Sequence, residues 1–288
     1  MHHFEYRRPA SISEAFNARE NEPDSRFVAG GSDIFLLLKK NIITPDCLIS
    51  LRAIEELKGI RKIESRVFIG SGTTIRELEK SELIEKKFPA LKDAAVNLAS
   101  PQIRNVATLG GNIVNASPGA DTAAPLLIYN ATVTIVNTQL VERVVPLTDF
   151  FKGPKQVHIQ EDEIVKGFTL EIPTPGSGST YLKFMKRKAM DLANVGVGVM
   201  LNLAENGTCS DIRIGLATVA PTPIRALKTE TFLKGKTPDE AILTQAGEIA
   251  AGEIRPIDDL RGQAWHKIEV VKTYIKRACR QACARSGK

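Results

Sequence analysis

The stretch Arg26-Phe27-Val28-Ala29-Gly30-Gly31-Ser32-Asp33-Ile34-Phe35-Leu36-Leu37-Leu38-Lys39 decides how the first half of the chain is read. A short strand, Arg26 to Val28, runs into a pair of glycines and then into an apolar helix over Ile34–Lys39. Glycine lets successive backbone N–H groups converge on an anion and lets a ligand approach the chain closely. A helix N-terminus behind the turn adds partial positive charge. The same punctuation recurs at Thr108-Leu109-Gly110-Gly111-Asn112, read as a second glycine turn. Ser32 and Thr108 supply hydroxyls there and Asn112 an amide. Two such turns suit a pyrophosphate, which needs donors from several directions. A Gly-Gly pair is also ordinary turn chemistry. Neither segment fits the Rossmann or P-loop pattern, so nicotinamide or ATP sites of those types are disfavoured.

The 288 residues suggest two domains at roughly 100–200 residues each. With 43% hydrophobic and 25% charged residues, the chain can build its own core without disulfide staples. Net charge is +6, but basic residues are dense only over 272–288. No nucleic-acid-binding signature accompanies them, so that tract is read as a solvated helix face or a subunit contact. Cys47, Cys209, Cys279 and Cys283 are dispersed, as free thiols of a reducing compartment would be, and form no iron–sulfur ligand set. The N-terminus has no secretory apolar region, and no run approaches the ~18 residues of a membrane span. A cytoplasmic protein with no membrane span is expected.

Ser11-Ile12-Ser13-Glu14 and Thr74-Ile75-Arg76-Glu77 read as capping boxes opening helices. Further strands are expected at 48–51, 67–72, 131–137, 141–145 and 163–172, and a helix from Pro89 to Ala99. The run Ile172-Pro173-Thr174-Pro175-Gly176-Ser177-Gly178-Ser179 reads as the linker between domains. Beyond it, two apolar strands flank Glu205-Asn206-Gly207, a strong hairpin signal. Helices over 238–252 and 261–285 follow. Trp265, Ile268, Val271, Ile275 and Ala278 fall on one face of the second. This is an α+β chain, not a regular βαβ array.

Asp121 lies ten residues beyond Gly111, where it reads as an N-cap for a helix over 122–130 or as a ligand contact. The four histidines, His2, His3, His158 and His266, join no nucleophile or metal motif. Two phosphate-type turns without an acid–base set point to a cofactor that carries the chemistry.

Several ordered stretches go further. They are Val28 to Asp33, Pro101 to Asn112, Ala120 to Pro125, Lys188-Ala189-Met190-Asp191 and Val219 to Arg225. Together they resemble the flavin subunit of molybdenum hydroxylases, the family of bacterial xanthine dehydrogenase and carbon monoxide dehydrogenase medium subunits. The resemblance runs from about Phe4 to the last helix. It implies a vanillyl-alcohol-oxidase (PCMH)-type FAD-binding domain over 1–174, built of two α/β subdomains (about 1–58 and 59–174). A CO-dehydrogenase-flavoprotein-like α+β domain over 175–288 would follow. The FAD pyrophosphate would sit on Arg26, Phe27, Val28, Ala29, Gly30, Gly31, Ser32 and Asp33, and on Thr108, Leu109, Gly110, Gly111 and Asn112. Asp121 would face the ribose and adenine, and Ile164 and Lys183 would touch the cofactor. No residue would be catalytic or metal-ligating.

FAD is expected to be non-covalent, because no histidine lies near either glycine turn. The cysteine-bearing insertion of the hydroxybenzoyl-CoA reductase type is missing. The family implies electrons delivered by [2Fe–2S] clusters on a small partner subunit, fed from a molybdopterin site on a large one. They would leave to NAD+ or another acceptor. Xanthine is the substrate suggested by the motif set, although the substrate site would lie on another chain. A stand-alone PCMH-type flavin reductase and a flavin-less assembly protein are the alternatives. Co-purification separates the first, and flavin absorbance the second.

Overall fold

The computed structural model describes residues 2–187 and 190–287. Lys188 and Ala189 of the fourth motif, and Lys288 of the basic tract, lie outside the described residues.

Ser11 caps the helix Ile12–Asn21 by accepting from the Glu14 amide at 3.1 Å. That helix crosses over a parallel three-stranded sheet whose spatial order is Glu5–Arg7, Cys47–Ser50, Ser25–Val28. Ile12, Ala15 and Phe16 pack on Cys47 and Ile49, and this small core extends to Val136 and Ile164 of the next sheet. The next sheet has five antiparallel strands in the order Ile60–Ile63, Arg66–Gly70, Glu163–Glu171, Thr132–Asn137, Glu142–Pro146. Thr74 and Glu77 form the expected capping box. Helices over 75–80, 82–87, 89–97 and 123–128 cover the main core with Leu78, Ile84, Leu91 and Leu126 fully buried.

The central strand Glu163–Glu171 carries a β-bulge between Val165 and Gly167. One extra residue reverses the side-chain alternation. After the bulge, Phe168 and Leu170 face the main core. Before it, Val165 faces that core and Ile164 faces the N-terminal one.

The C-terminal sheet is antiparallel, in the order Ser177–Phe184, Val195–Leu203, Cys209–Ala217, Ile224–Arg225. Gly207, at φ +78°, closes the expected hairpin. Val197, Val199 and Ile214 face the helices Glu240–Glu253 and Ala264–Arg285. Tyr181 and Met200 point the other way, into the main core. Gly198 and Gly215 are cross-strand partners, and together they make a flat spot for the Ala124 backbone.

Two expectations change. The Gly-Ser tract is not all linker: strand pairing begins at Ser177, and Gly178 is there because the Ala282 carbonyl presses on it. Trp265 is off the apolar face, 63% exposed and tilted over His266, while Val271, Ile275 and Ala278 are buried. The basic C-terminal tract is largely paired within the chain: Lys272 to Glu248, Lys276 and Arg280 to Glu240, and Arg285 to Asp93. All four cysteines are free thiols. Among the described residues no helix is long and apolar enough to cross a membrane.

Candidate functional site

A cleft of about 840 Å³ opens where the three sheets meet. That is at the large end of the roughly 300–1,000 Å³ usual for cofactor and ligand sites. Its walls carry fourteen of the sixteen expected residues: Arg26 to Asp33, Thr108, Gly110, Gly111, Asn112, Asp121 and Ile164. Leu109 and Lys183 stand behind them. Leu109 is fully buried in the main core, and Lys183 is turned away onto Asp121.

The two glycine segments differ in what they offer. Among the described residues, the amides of Gly30, Gly31, Ser32 and Asp33 meet no acceptor. Four consecutive unpartnered N–H groups on a cleft wall form a nest for an anion. Gly31 sits at φ +82°, and a Cβ there would meet the Phe35 ring at 2.5 Å. Arg26, exposed at the same wall, has no carboxylate partner among the described residues, so its guanidinium is free for an anion.

The second segment is not the open turn expected. Past Thr108 it is the first turn of a helix, Leu109–Val114, and the amides of Leu109 to Asn112 are satisfied within the protein. Leu109 donates to the Thr73 carbonyl (2.9 Å), Gly110 to that of Ser71 (2.8 Å) and Asn112 to that of Thr108 (3.0 Å). The Gly111 amide donates to the Thr108 hydroxyl at 3.0 Å. The segment therefore offers a thin, side-chain-free wall more than an amide cradle. Asn112 accepts the Thr122 hydroxyl at 2.6 Å, which leaves its NH2 for the cleft.

The glycines also bring the walls together. A Cβ on Gly30 would lie 2.2 Å from the Val106 carbonyl oxygen, and one on Gly110 would lie 2.6 Å from Ser71 Cβ. Both are required by close approach of backbone to backbone or side chain, not by a ligand.

Asp121 does not cap a helix. The following helix starts at Ala123, with Thr122 as an unassisted N-cap. Instead the Asp121 carboxylate accepts the Tyr181 hydroxyl (3.0 Å) and the Lys183 ammonium (2.9 Å), both from the C-terminal sheet. Burial raises the Asp121 carboxyl above its ordinary range, opposed by Lys183 and by the Tyr181 hydrogen bond. Across the cleft, Arg143 grips Glu163 through two hydrogen bonds of 2.6 and 2.7 Å. That contact holds the Glu163 carboxyl below its ordinary value.

Sequence reasoning missed the rest of the lining. Ser71, Leu98 and Ala99 come from loops and helix ends with no distinguishing motif, while Ile103 lies within the Pro101–Asn112 stretch but was not singled out as a contact. Arg187, Met190, Asp191 and Leu192 come from a segment folded around Asp191, which accepts the amides of Lys186 and Arg187. No histidine is on the lining, and the described residues contain no group of three or more potential metal ligands. The donor set is that of a large anionic cofactor: a free amide nest, an adjacent guanidinium, and a carboxylate placed for hydroxyl groups. It fits FAD.

Comparison with known proteins gives the same answer. Residues 2–175 match the family described as the FAD binding domain in molybdopterin dehydrogenase. Residues 180–282 match the CO dehydrogenase flavoprotein C-terminal domain. The chain is 33% identical over 285 residues to the xanthine dehydrogenase FAD-binding subunit of Escherichia coli O157:H7, covering 98% of this chain and 97% of that one. It is 34% identical over 283 residues to the carbon monoxide dehydrogenase medium chain of Hydrogenophaga pseudoflava, covering 98% of each. Among solved structures, cyanide-inactivated Cu,Mo-CO dehydrogenase superposes with a TM-score of 0.93 at 32% identity over 98% of both chains. Quinoline 2-oxidoreductase from Pseudomonas putida 86 also gives 0.93, at 28% identity over 99% of both.

Proposed function

Because the chain belongs to the FAD-binding family of molybdopterin dehydrogenases, we propose that it is the electron-transfer flavin subunit of a molybdenum hydroxylase complex, holding FAD non-covalently in the central cleft. When bound, FAD supplies both one-electron and two-electron exchange, chemistry that no side chain here offers. The amides of Gly30 to Asp33 would take the pyrophosphate, with Arg26 beside them. Gly111 would let the cofactor lie against the Leu109–Val114 helix, and Asn112 would donate its NH2. Asp121 would accept ribose hydroxyls. Ile164 and Val165, placed by the bulge, would form a dry backing.

Electrons would come from [2Fe–2S] clusters on a small partner subunit, fed by a molybdopterin subunit, and leave to NAD+ or another acceptor. The lining holds no histidine, which supports non-covalent attachment. The free thiols fit a reducing, cytoplasmic setting. The observation that carries this reading is the run of four unpartnered amides on the cleft wall.

The test is reconstitution of the purified chain with FAD. One flavin per chain, released intact by acid precipitation, is expected. A colourless chain would overturn the reading, and flavin left in the acid pellet would overturn non-covalent binding. A tagged pull-down with molybdenum and iron analysis tests the partners.

A further inference from the structure

The resemblance implies that Lys183 touches the cofactor, yet its side chain is only 2% exposed and does not reach the cleft wall. Its ammonium lies 2.9 Å from Asp121 Oδ2 and 3.1 Å from the Asn97 carbonyl oxygen. Tyr181, two residues earlier and on the same face of the strand, donates to Asp121 Oδ1 at 3.0 Å. Of the three, only Asp121 lines the cleft. It sits in the loop before helix Ala123–Ile128, and both of its donors come from the strand Ser177–Phe184 of the C-terminal sheet.

An ionised carboxylate has about four lone-pair sites. Two are occupied from behind by donors fixed in a strand, so the others are turned to the cleft. A buried carboxylate stripped of its counter-charge tends to take up a proton and lose that accepting capacity.

We propose that Lys183 is a positioning residue, holding the Asp121 carboxylate aimed at the cofactor's adenosine half and acting on the cofactor only through it. Tyr181 is the second arm of the same device. The C-terminal sheet thereby orients a carboxylate of the N-terminal part, while the segment that follows its first strand supplies Arg187, Met190, Asp191 and Leu192 to the cleft wall. This rests on the reading that the cleft takes FAD.

A double-mutant cycle on the full chain tests it, with FAD affinity read from quenching of flavin fluorescence. Lys183→Met and Asp121→Asn should each weaken FAD about tenfold to a hundredfold, the range for one charge-assisted hydrogen bond. The double variant should bind FAD within about twofold of Asp121→Asn alone, because a residue acting through its partner adds nothing once that partner is changed. Losses that multiply would mean that Lys183 meets the cofactor directly, and would overturn the proposal. FMN, which lacks the adenosine half, should bind Lys183→Met as it binds the unaltered chain. An equal loss for FMN would also overturn it. If Lys183→Met fails to fold, Tyr181→Phe keeps the shape and removes one donor. It should weaken FAD about three- to tenfold with Asp121 present and leave it unchanged in Asp121→Asn. An unaltered chain that binds neither flavin would instead refute the FAD reading itself.

Discussion

Replacing Gly30 with alanine adds one methyl group at the tightest point of the cleft. Its Cβ would lie 2.2 Å from the Val106 carbonyl oxygen, 2.8 Å from Ala107 Cα and 2.9 Å from the Val106 carbonyl carbon. Ordinary contact begins at 3.4 Å, so the two walls must part by about 1.2 Å. The obstacle is backbone, which cannot rotate out of the way as a long side chain can. Overpacking of this kind costs about 1–3 kcal/mol. At roughly 2–4 °C per kcal/mol for a domain of this size, the melting temperature should fall by several degrees. The shift also moves the amide nest of 30–33 relative to the opposite wall. Misplacing even one charge-assisted hydrogen bond to the pyrophosphate, worth about 1.5–3 kcal/mol, weakens FAD at least tenfold. Gly252→Ala is the matched control. Nothing lies within 4 Å of its Cβ, and it sits in the helix Glu240–Glu253. There the same methyl should stabilise by up to about 0.5–1 kcal/mol. Thermal melts and flavin titrations of both variants decide the matter. A Gly30→Ala protein that melts with the unaltered chain and binds FAD within twofold of it would refute the argument that Gly30 joins the walls.

Gly215→Ala places a Cβ 2.5 Å from the Ala124 carbonyl oxygen and should cost about 1–3 kcal/mol in thermal unfolding, by prying the C-terminal sheet from helix Ala123–Ile128. Tyr129→Phe removes a fully buried hydroxyl that accepts the Ala90 amide at 3.1 Å and bonds Ser179 at 2.6 Å; denaturant melts should show a loss of about 1–3 kcal/mol. For Glu163, the folded-state value lies below the ordinary 4.5, so its pairing with Arg143 stabilises fully above that pH and is lost as pH falls through the lowered value. Glu163→Gln should therefore flatten the acid side of the stability curve below about pH 4.5, while melts near neutral pH show the variant less stable; an unchanged acid limb would count against the pairing.

Local chemistry was legible in the sequence wherever the partners are near in the chain. Thr74 and Glu77 form the reciprocal capping box their spacing implies, Ser11 makes half of one because the Glu14 carboxylate accepts the Ala10 amide instead, and Asn206-Gly207 closes its hairpin. The strand, glycine pair and helix over 25–39 stand nearly where they were expected. What the sequence could not show depends on distant residues. Leu109-Gly110-Gly111 is a poor helix start by propensity, and it is held as one by carbonyls of Ser71 and Thr73 that no local pattern announces. Asp121 has the look of a helix cap, but its donors lie some sixty residues further on. Ser177-Gly178-Ser179 has linker composition, and only the approach of Ala282 shows why a strand needs the glycine. Trp265 matched the helical period but falls at the helix's first turn, where its neighbour His266 takes the place against Phe184 of the sheet and leaves the indole in solvent.

The extra residue in strand Glu163–Glu171 has a consequence for how the molecule opens. Because the strand gives Ile164 to one core and Val165, Phe168 and Leu170 to the other, neither core can be exposed without disturbing it. The parallel sheet and the five-stranded sheet should then exchange their slowest amide hydrogens together, as one cooperative unit. The hairpin strand Glu142–Pro146, at the sheet's edge, should exchange independently and sooner. A cleft built across such a shared strand keeps its shape only while both cores hold.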